Sequence, residues 1–335
     1  MPHLFRAALL LVLIVTSSLS ADELSPSITT NPLESLTQET SNTSKLGTSL
    51  SPHYRSSKLG MFIGEGRPTS RSRYRGWDFL VAKLKQEKLP TGYIDSVFTS
   101  NEMPRFSTVT FKLIPKESKR LYTEFARKDK LTKAHQFLSQ YKEAFHSAQN
   151  TFHVSPFLIC SILLIETHLG ANTGKHLIIN RLSRLASISQ PENIAHNYAL
   201  LKTQDQKVTY DQVAERGNKL HEMFYPEVLA LFSLASEQGL DPLSLKGSLS
   251  GAFGMPQFLP STYLRFGFDG NEDGEISLFN PADAISSIGN FFSGFGWRDS
   301  LSREEKMKVI WNYNHSQAYV DTVLEVAELL EKNSR

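Results

Sequence analysis

A mainly α fold with a minor β element is what this sequence predicts, and three observations carry the reading. Apolar residues recur at helical spacing through most of the chain after Trp77, helix caps sit at the ends of several such segments, and only one short run has strand character. Helices are expected over residues 77–89, 116–128, 131–152, 156–169, 174–189, 225–238, 281–294 and 303–332. Residues 108–113 are the best strand candidate. Residues 247–297 crowd glycines, prolines and aromatics together and read as a long functional loop region.

In chain order, residues 1–21 combine Arg6 in a short polar start, an apolar core at 7–15, and small residues Ser17, Ser18, Ser20 and Ala21. That is the pattern of a secretory signal peptide, with an apolar run too short to span a bilayer. An exported, periplasmic protein that is soluble after cleavage, without an integral membrane segment, is therefore expected. Residues 22–75 are rich in Ser, Thr, Pro and Gly and poor in large apolar residues, so a disordered spacer is expected there. Arg67, Arg71, Arg73 and Arg75 fall at its end and read as solvated. The folded part should span 76–335, with a helical lobe at 76–152 and a core at 153–335, long enough for one large domain or two lobes around a cleft, in a monomer.

Charge excludes one function class. Lys and Arg number 36 against 34 Asp and Glu, a net charge of +2, which argues against a nucleic-acid binder held by electrostatics. The single cysteine, Cys160, rules out a disulfide within the chain and reads as a small packed residue. His153, His168, His176, His196, His221 and His315 show no metal-ligand spacing.

Glu166 is the one charged residue between Ser155 and Gly170. Ser155 can N-cap this helix, Pro156 suits its first position, and Gly170 can end it. The neighbours of Glu166 three or four residues away are Ile162, Leu163, Leu169 and Gly170, none of them basic. Burial among such neighbours should raise its pKa and keep it protonated near neutral pH, as a general acid requires. The alternative is a buried glutamate paired to a distant Arg or Lys.

Asp269, Asn271, Asp273 and Glu275 place oxygen ligands at alternate positions, with Gly274 sixth and Ile276 eighth, as in an EF-hand loop. Asn280 stands at the twelfth position in place of the usual bidentate Glu, and Asp283 is near enough to complete the shell. Asn280, Pro281 and Asp283 also make a helix N-cap, first position and first-turn acid. A structural calcium site and a plain Asp/Asn-Gly turn are both open on this evidence.

Several motifs occur together in order: Ile165-Glu166-Thr167 with Gly174-Lys175, the run Ser248 to Tyr263, the Asp269 loop, Asn290 to Trp297, and Asn312 to Tyr319. In this the chain resembles the lytic murein transglycosylase B family from about Trp77 to Arg335. The resemblance implies a lysozyme-like helical core whose cleft binds peptidoglycan glycan strands. It implies cleavage of the β-1,4 bond between N-acetylmuramic acid and N-acetylglucosamine without water, leaving a 1,6-anhydro end. Glu166 falls on the family's catalytic glutamate. Ser248, Gln257, Phe291 and Tyr313 fall on cleft positions, and Asp269, Asn271, Asp273, Glu275 and Asp283 on the calcium loop. Phe291 departs from the family's tyrosine, and Met255-Pro256 from a more glycine-rich turn.

Two rivals follow. A hydrolase of lysozyme type would need Glu237, Asp241 or Asp269 as a second carboxylate. A calcium-stabilised cell-wall binding protein would keep the cleft without turnover.

Overall fold

A computed structural model describes residues 72–114 and 122–334. The signal peptide expected at 1–21 and the spacer expected from 22 as far as residue 71 lie outside the described residues. Helices follow in the order α1 (Asp78–Leu84), α2 (Thr91–Thr99), α3 (Lys128–Gln140), α4 (Lys142–Phe152), α5 (Pro156–Thr167), α6 (Ile178–Ala186), α7 (Pro191–Gln204), α8 (Tyr210–Glu237), α9 (Pro260–Phe266), α10 (Pro281–Gly294), α11 (Arg303–Trp311) and α12 (Gln317–Lys332). Strands β1 (His176–Leu177) and β2 (Lys246–Gly247) pair antiparallel, His176 opposite Gly247 and Leu177 opposite Lys246.

The expected mainly α architecture is what forms. α5 is its axis: every residue from Leu158 to Ile165 is buried, so the helix needs neighbours on all sides. α3, α4, α10 and α12 supply them, while α8 carries α6, α7 and α9 along its length.

Two expected long helices are broken. The 131–152 segment divides at Tyr141 because its halves bury different faces: Leu131, Ala134 and Phe137 on α3, which packs on α5 and α12, and Phe145, Ala148 and Phe152 on α4, which packs on α10. The 303–332 segment divides at residues 312–316, where Ser316 accepts from the Tyr319 amide and starts α12 afresh. Conversely, α8 runs through Pro226 instead of starting there. A Thr209–Gln212 capping box begins it, and buried Leu220, Phe224, Val228 and Phe232 hold both sides of the proline.

The expected strand at 108–113 is a correction. The segment is extended but carries no strand partner among the described residues; side chains of α7 take the partner's place. Asn193 Oδ1 accepts from the Val109 amide at 2.7 Å and Asn197 Oδ1 from the Phe111 amide at 3.0 Å, and the Asn197 amide donates to the Val109 carbonyl at 2.8 Å. Amides one helical turn apart thus satisfy the backbone as a neighbouring strand would. Of the helix expected at 116–128, residues 115–121 lie outside the described residues, and residues 122–127 form turns up to the start of α3. α2, α7 and α9 were not read from the sequence, and α9 falls inside the stretch read as loop.

Arg73 and Arg75, read as solvated, are tied down. Arg73 and Lys85 flank Asp95 at 2.6 and 2.7 Å, with Lys85 foremost in holding that carboxyl down to about 2. Arg75 donates to the carbonyls of Ser100 and Met103. Among the described residues, no single helix is long and apolar enough to cross a membrane.

Candidate active site

Glu166 sits at the last turn of α5, and three successive left-handed residues, His168, Leu169 and Gly170, turn the chain away immediately afterwards. Its residue is half-buried. No salt bridge among the described residues reaches it. Its partner is the Tyr319 hydroxyl, which donates to Oε1 at 2.7 Å. Burial pushes the Glu166 carboxyl up to about 8, opposed only by that hydrogen bond. The expected elevation is present, and the ion-paired alternative is not.

Tyr319 was missed in the sequence, where it lies among apolar residues of α12 and looks like core. Its ring is indeed fully buried, and only the hydroxyl reaches the site. Tyr313 stacks on it, centroids 6.3 Å apart and 9° between planes, and Phe292 stacks on Tyr313 at 5.6 Å and 8°. Burial, then the nearby Glu166, raises both tyrosine hydroxyls, so they remain donors. Tyr122 meets Tyr319 edge-on, and Phe125 stacks on His168, so residues before α3 lie over the end of α5.

The wall beside Glu166 is a turn whose carbonyls are each held by a side chain. Gln257 Nε2 donates to Gly254, Thr167 Oγ1 to Met255 at 2.9 Å, and the Tyr313 hydroxyl to Pro256. Gln257 has φ 51° and also donates to the Thr173 carbonyl at 3.1 Å. That leaves its Oε1 as an acceptor for a ligand. Ser248 begins the turn after β2, its hydroxyl 3.1 Å from that of Ser250 and accepting from the Ala252 amide. Gly174 shows why the chain can fold here: with φ 91°, a Cβ on it would lie 2.2 Å from the Gly247 carbonyl.

Phe291 takes a different place from the other cleft candidates. It is 3% exposed, packed among Phe266, Phe295 and Tyr313 at 5.0, 4.7 and 4.9 Å. A hydroxyl at this position would face rings, and the hydrogen bond to Glu166 comes from Tyr319 instead.

The Asp269 loop uses its carboxylates on its own backbone. Asp269 accepts from the Asp273 and Gly274 amides, and Asp273 from Glu275. Asp283 is 1% exposed and accepts from Gly270 at 2.9 Å and Ser277 at 2.7 Å, tying the loop to α10. Asn280 caps α10 through the Ala282 amide, so the helix-cap reading holds. No group of three or more His, Cys, Asp or Glu converges as a metal site among the described residues. Yet Asp283 is a buried carboxylate without a basic partner among the described residues, its pKa raised by burial and, after the opposing backbone bonds, by Asp269. An oxygen-only donor set in which one acid acts electrostatically on a second, buried one fits a hard divalent cation.

The Transglycosylase SLT domain matches residues 75–303. The membrane-bound lytic murein transglycosylase B of Escherichia coli (strain K12) is 32% identical over 161 residues, 48% of this chain and 37% of that protein. The solved E. coli lytic transglycosylase SLT35 in complex with calcium is 23% identical, with a TM-score of 0.51 over 64% of this chain and 78% of that one. SltB3 from Pseudomonas aeruginosa, solved with NAG-anhNAM-pentapeptide, is 15% identical, with a TM-score of 0.56 over 78% of this chain and 81% of that one. The fold is thus that of these enzymes, as the sequence motifs imply. A domain match over more than half of the 335 residues decides the family: the chain belongs to the transglycosylases with an SLT domain.

Proposed function

We propose that the protein is an exported lytic murein transglycosylase acting on peptidoglycan glycan strands. The observation that carries this is Glu166: one carboxyl, protonated at neutral pH through burial, with no basic partner among the described residues. The groups acting on its ionisation are its surroundings and Tyr319 alone. Glu237 instead acts on Tyr263, Asp241 on Tyr93, and Asp269 on Asp283. None of the three is among the groups acting on Glu166, which supports the single-carboxylate reading over the pair a hydrolase uses.

Glu166 gives its proton to the glycosidic oxygen as the C1–O bond breaks. The carbonyl oxygen of the substrate's 2-acetamido group stabilises the cation at C1. The Glu166 carboxylate then takes the proton of the C6 hydroxyl, whose oxygen bonds to C1 and closes the 1,6-anhydro ring without water. Gln257 Oε1 and Ser248 are the candidate contacts for the acetamido and hydroxyl groups. Tyr313 acts by holding the Pro256 turn. Asp269, Asn271, Asp273, the Glu275 backbone and Asp283 would hold calcium, fixing the loop against α10.

Mass spectrometry of soluble products from purified peptidoglycan tests the reading. Anhydro ends, lighter by one water and absent with Glu166→Gln, are expected. Reducing ends would make the protein a hydrolase, and no release of fragments would favour the wall-binding rival.

A further inference from the structure

Glu227 on α8 is a buried carboxyl that the cleavage chemistry leaves unused. It is 6% exposed, and no salt bridge among the described residues reaches it. One residue engages both of its oxygens: Oε2 accepts from the Ser261 amide at 3.0 Å and Oε1 from the Ser261 hydroxyl at 2.6 Å. Burial pushes this carboxyl up, and the two bonds from Ser261 oppose that rise.

Ser261 is the second residue of α9, whose N-cap, Leu259, offers no side-chain acceptor. Glu227 supplies from 34 residues away the negative group that a helix start favours. A Ser or Asp at position 259 would cap α9 without burying a carboxylate, so capping alone is a poor reason for this acid.

The long-range bond adds a joint between α8 and the wall of the cleft. Pro260 has its φ locked, and Leu259 before it is confined to the extended backbone it shows, φ −75° and ψ 158°. Phe258 exchanges backbone hydrogen bonds with Phe253 in both directions, at 2.9 and 3.1 Å. Two stiff residues thus connect Ser261 to the closed loop 253–258, in which Gln257 sits at φ 51° with its side-chain amide on the carbonyls of Thr173 and Gly254. A shift of the start of α9 is passed along this link to Gln257.

We propose that Glu227 is a positioning residue for substrate binding: by clamping Ser261 to α8 it sets the direction in which Gln257 presents Oε1 to the acetamido group of the glycan. The inference rests on the glycan-cleaving reading and adds to it a residue outside the cleft that governs affinity. Bond breaking is governed elsewhere, because Glu166 is held from α5 and α12, to which Glu227 makes no hydrogen bond.

The test compares initial rates of the full chain, Glu227→Gln and Ser261→Ala on soluble peptidoglycan strands. Glutamine keeps the size of the side chain but has one acceptor oxygen for two donors, and alanine removes the hydroxyl donor. Each variant should raise KM about three- to tenfold and leave kcat within about twofold. Ser261→Thr, which keeps the hydroxyl, should stay within about twofold of the wild-type KM. Circular dichroism checks folding at the assay temperature, and the half-buried Ser261 keeps the test open where Glu227→Gln does not fold. A lower melting temperature with unchanged KM, or a loss confined to kcat, would overturn the positioning role and leave the catalytic reading in place. Absence of turnover by the unmodified chain would overturn both.

Discussion

Glu166→Gln should stabilise the fold while it removes turnover, and the size of the gain follows from the site. A glutamate ordinarily titrates near 4.5, and burial pushes this one up to about 8. Because the folded value is the higher, the native chain binds the proton more tightly. The residue's favourable contribution is complete below about pH 4.5 and drains by about 1.4 kcal/mol per pH unit until about pH 8. At pH 7 that is about 2.5 units, a loss of about 3 kcal/mol. Glutamine does not titrate, and its amide oxygen can still accept from Tyr319. Urea unfolding of both proteins from pH 5 to 9 should therefore diverge with rising pH, the variant becoming relatively more stable, and level off above pH 8. A stability difference that stays constant across this range would refute the raised pKa and, with it, the argument that Glu166 rests protonated. Over the same range, wild-type cleavage should fall as the acid deprotonates.

Tyr319→Phe removes the one group that holds the Glu166 pKa down, so the alkaline limb of the rate profile should move up by about one to two pH units; a downward move would contradict the assigned hydrogen bond. Excess chelator should lower the melting temperature of wild type but not of Asp283→Asn, and coincident wild-type curves with and without chelator would count against a bound ion. Asn193→Ala strands the Val109 amide, for a loss of about 1–3 kcal/mol and faster exchange of that amide, as read by hydrogen exchange; unchanged protection would mean that another group takes over the bond.

The helices that could be read from the sequence were those whose signal is local. α5 has Ser155, Pro156 and a continuous apolar run, and α10 has Asn280 and Pro281. α7 carries fewer apolar residues, and what orders it against the 109–111 segment is a pair of asparagines whose partners are more than eighty residues away. The split of 131–152 was likewise invisible, since each half is a good helix and only the partners of its faces require the bend. Phe291 illustrates the same limit at the site: a motif position gave a cleft residue, whereas the packing of four rings put it in the wall.

Sequence alone determined the chemistry on offer: a lone glutamate in an apolar helix, an oxygen-rich loop, and the ordered motifs of one family. Tertiary structure decided how that chemistry is controlled. Tyr319 reaches Glu166 from 153 residues along the chain, and the carbonyls of the 254–256 turn are held by Gln257, Thr167 and Tyr313. Helix periodicity and caps are properties of neighbours in sequence. A carboxyl's pKa and a turn's shape depend on neighbours in space, which become fixed only when the elements pack.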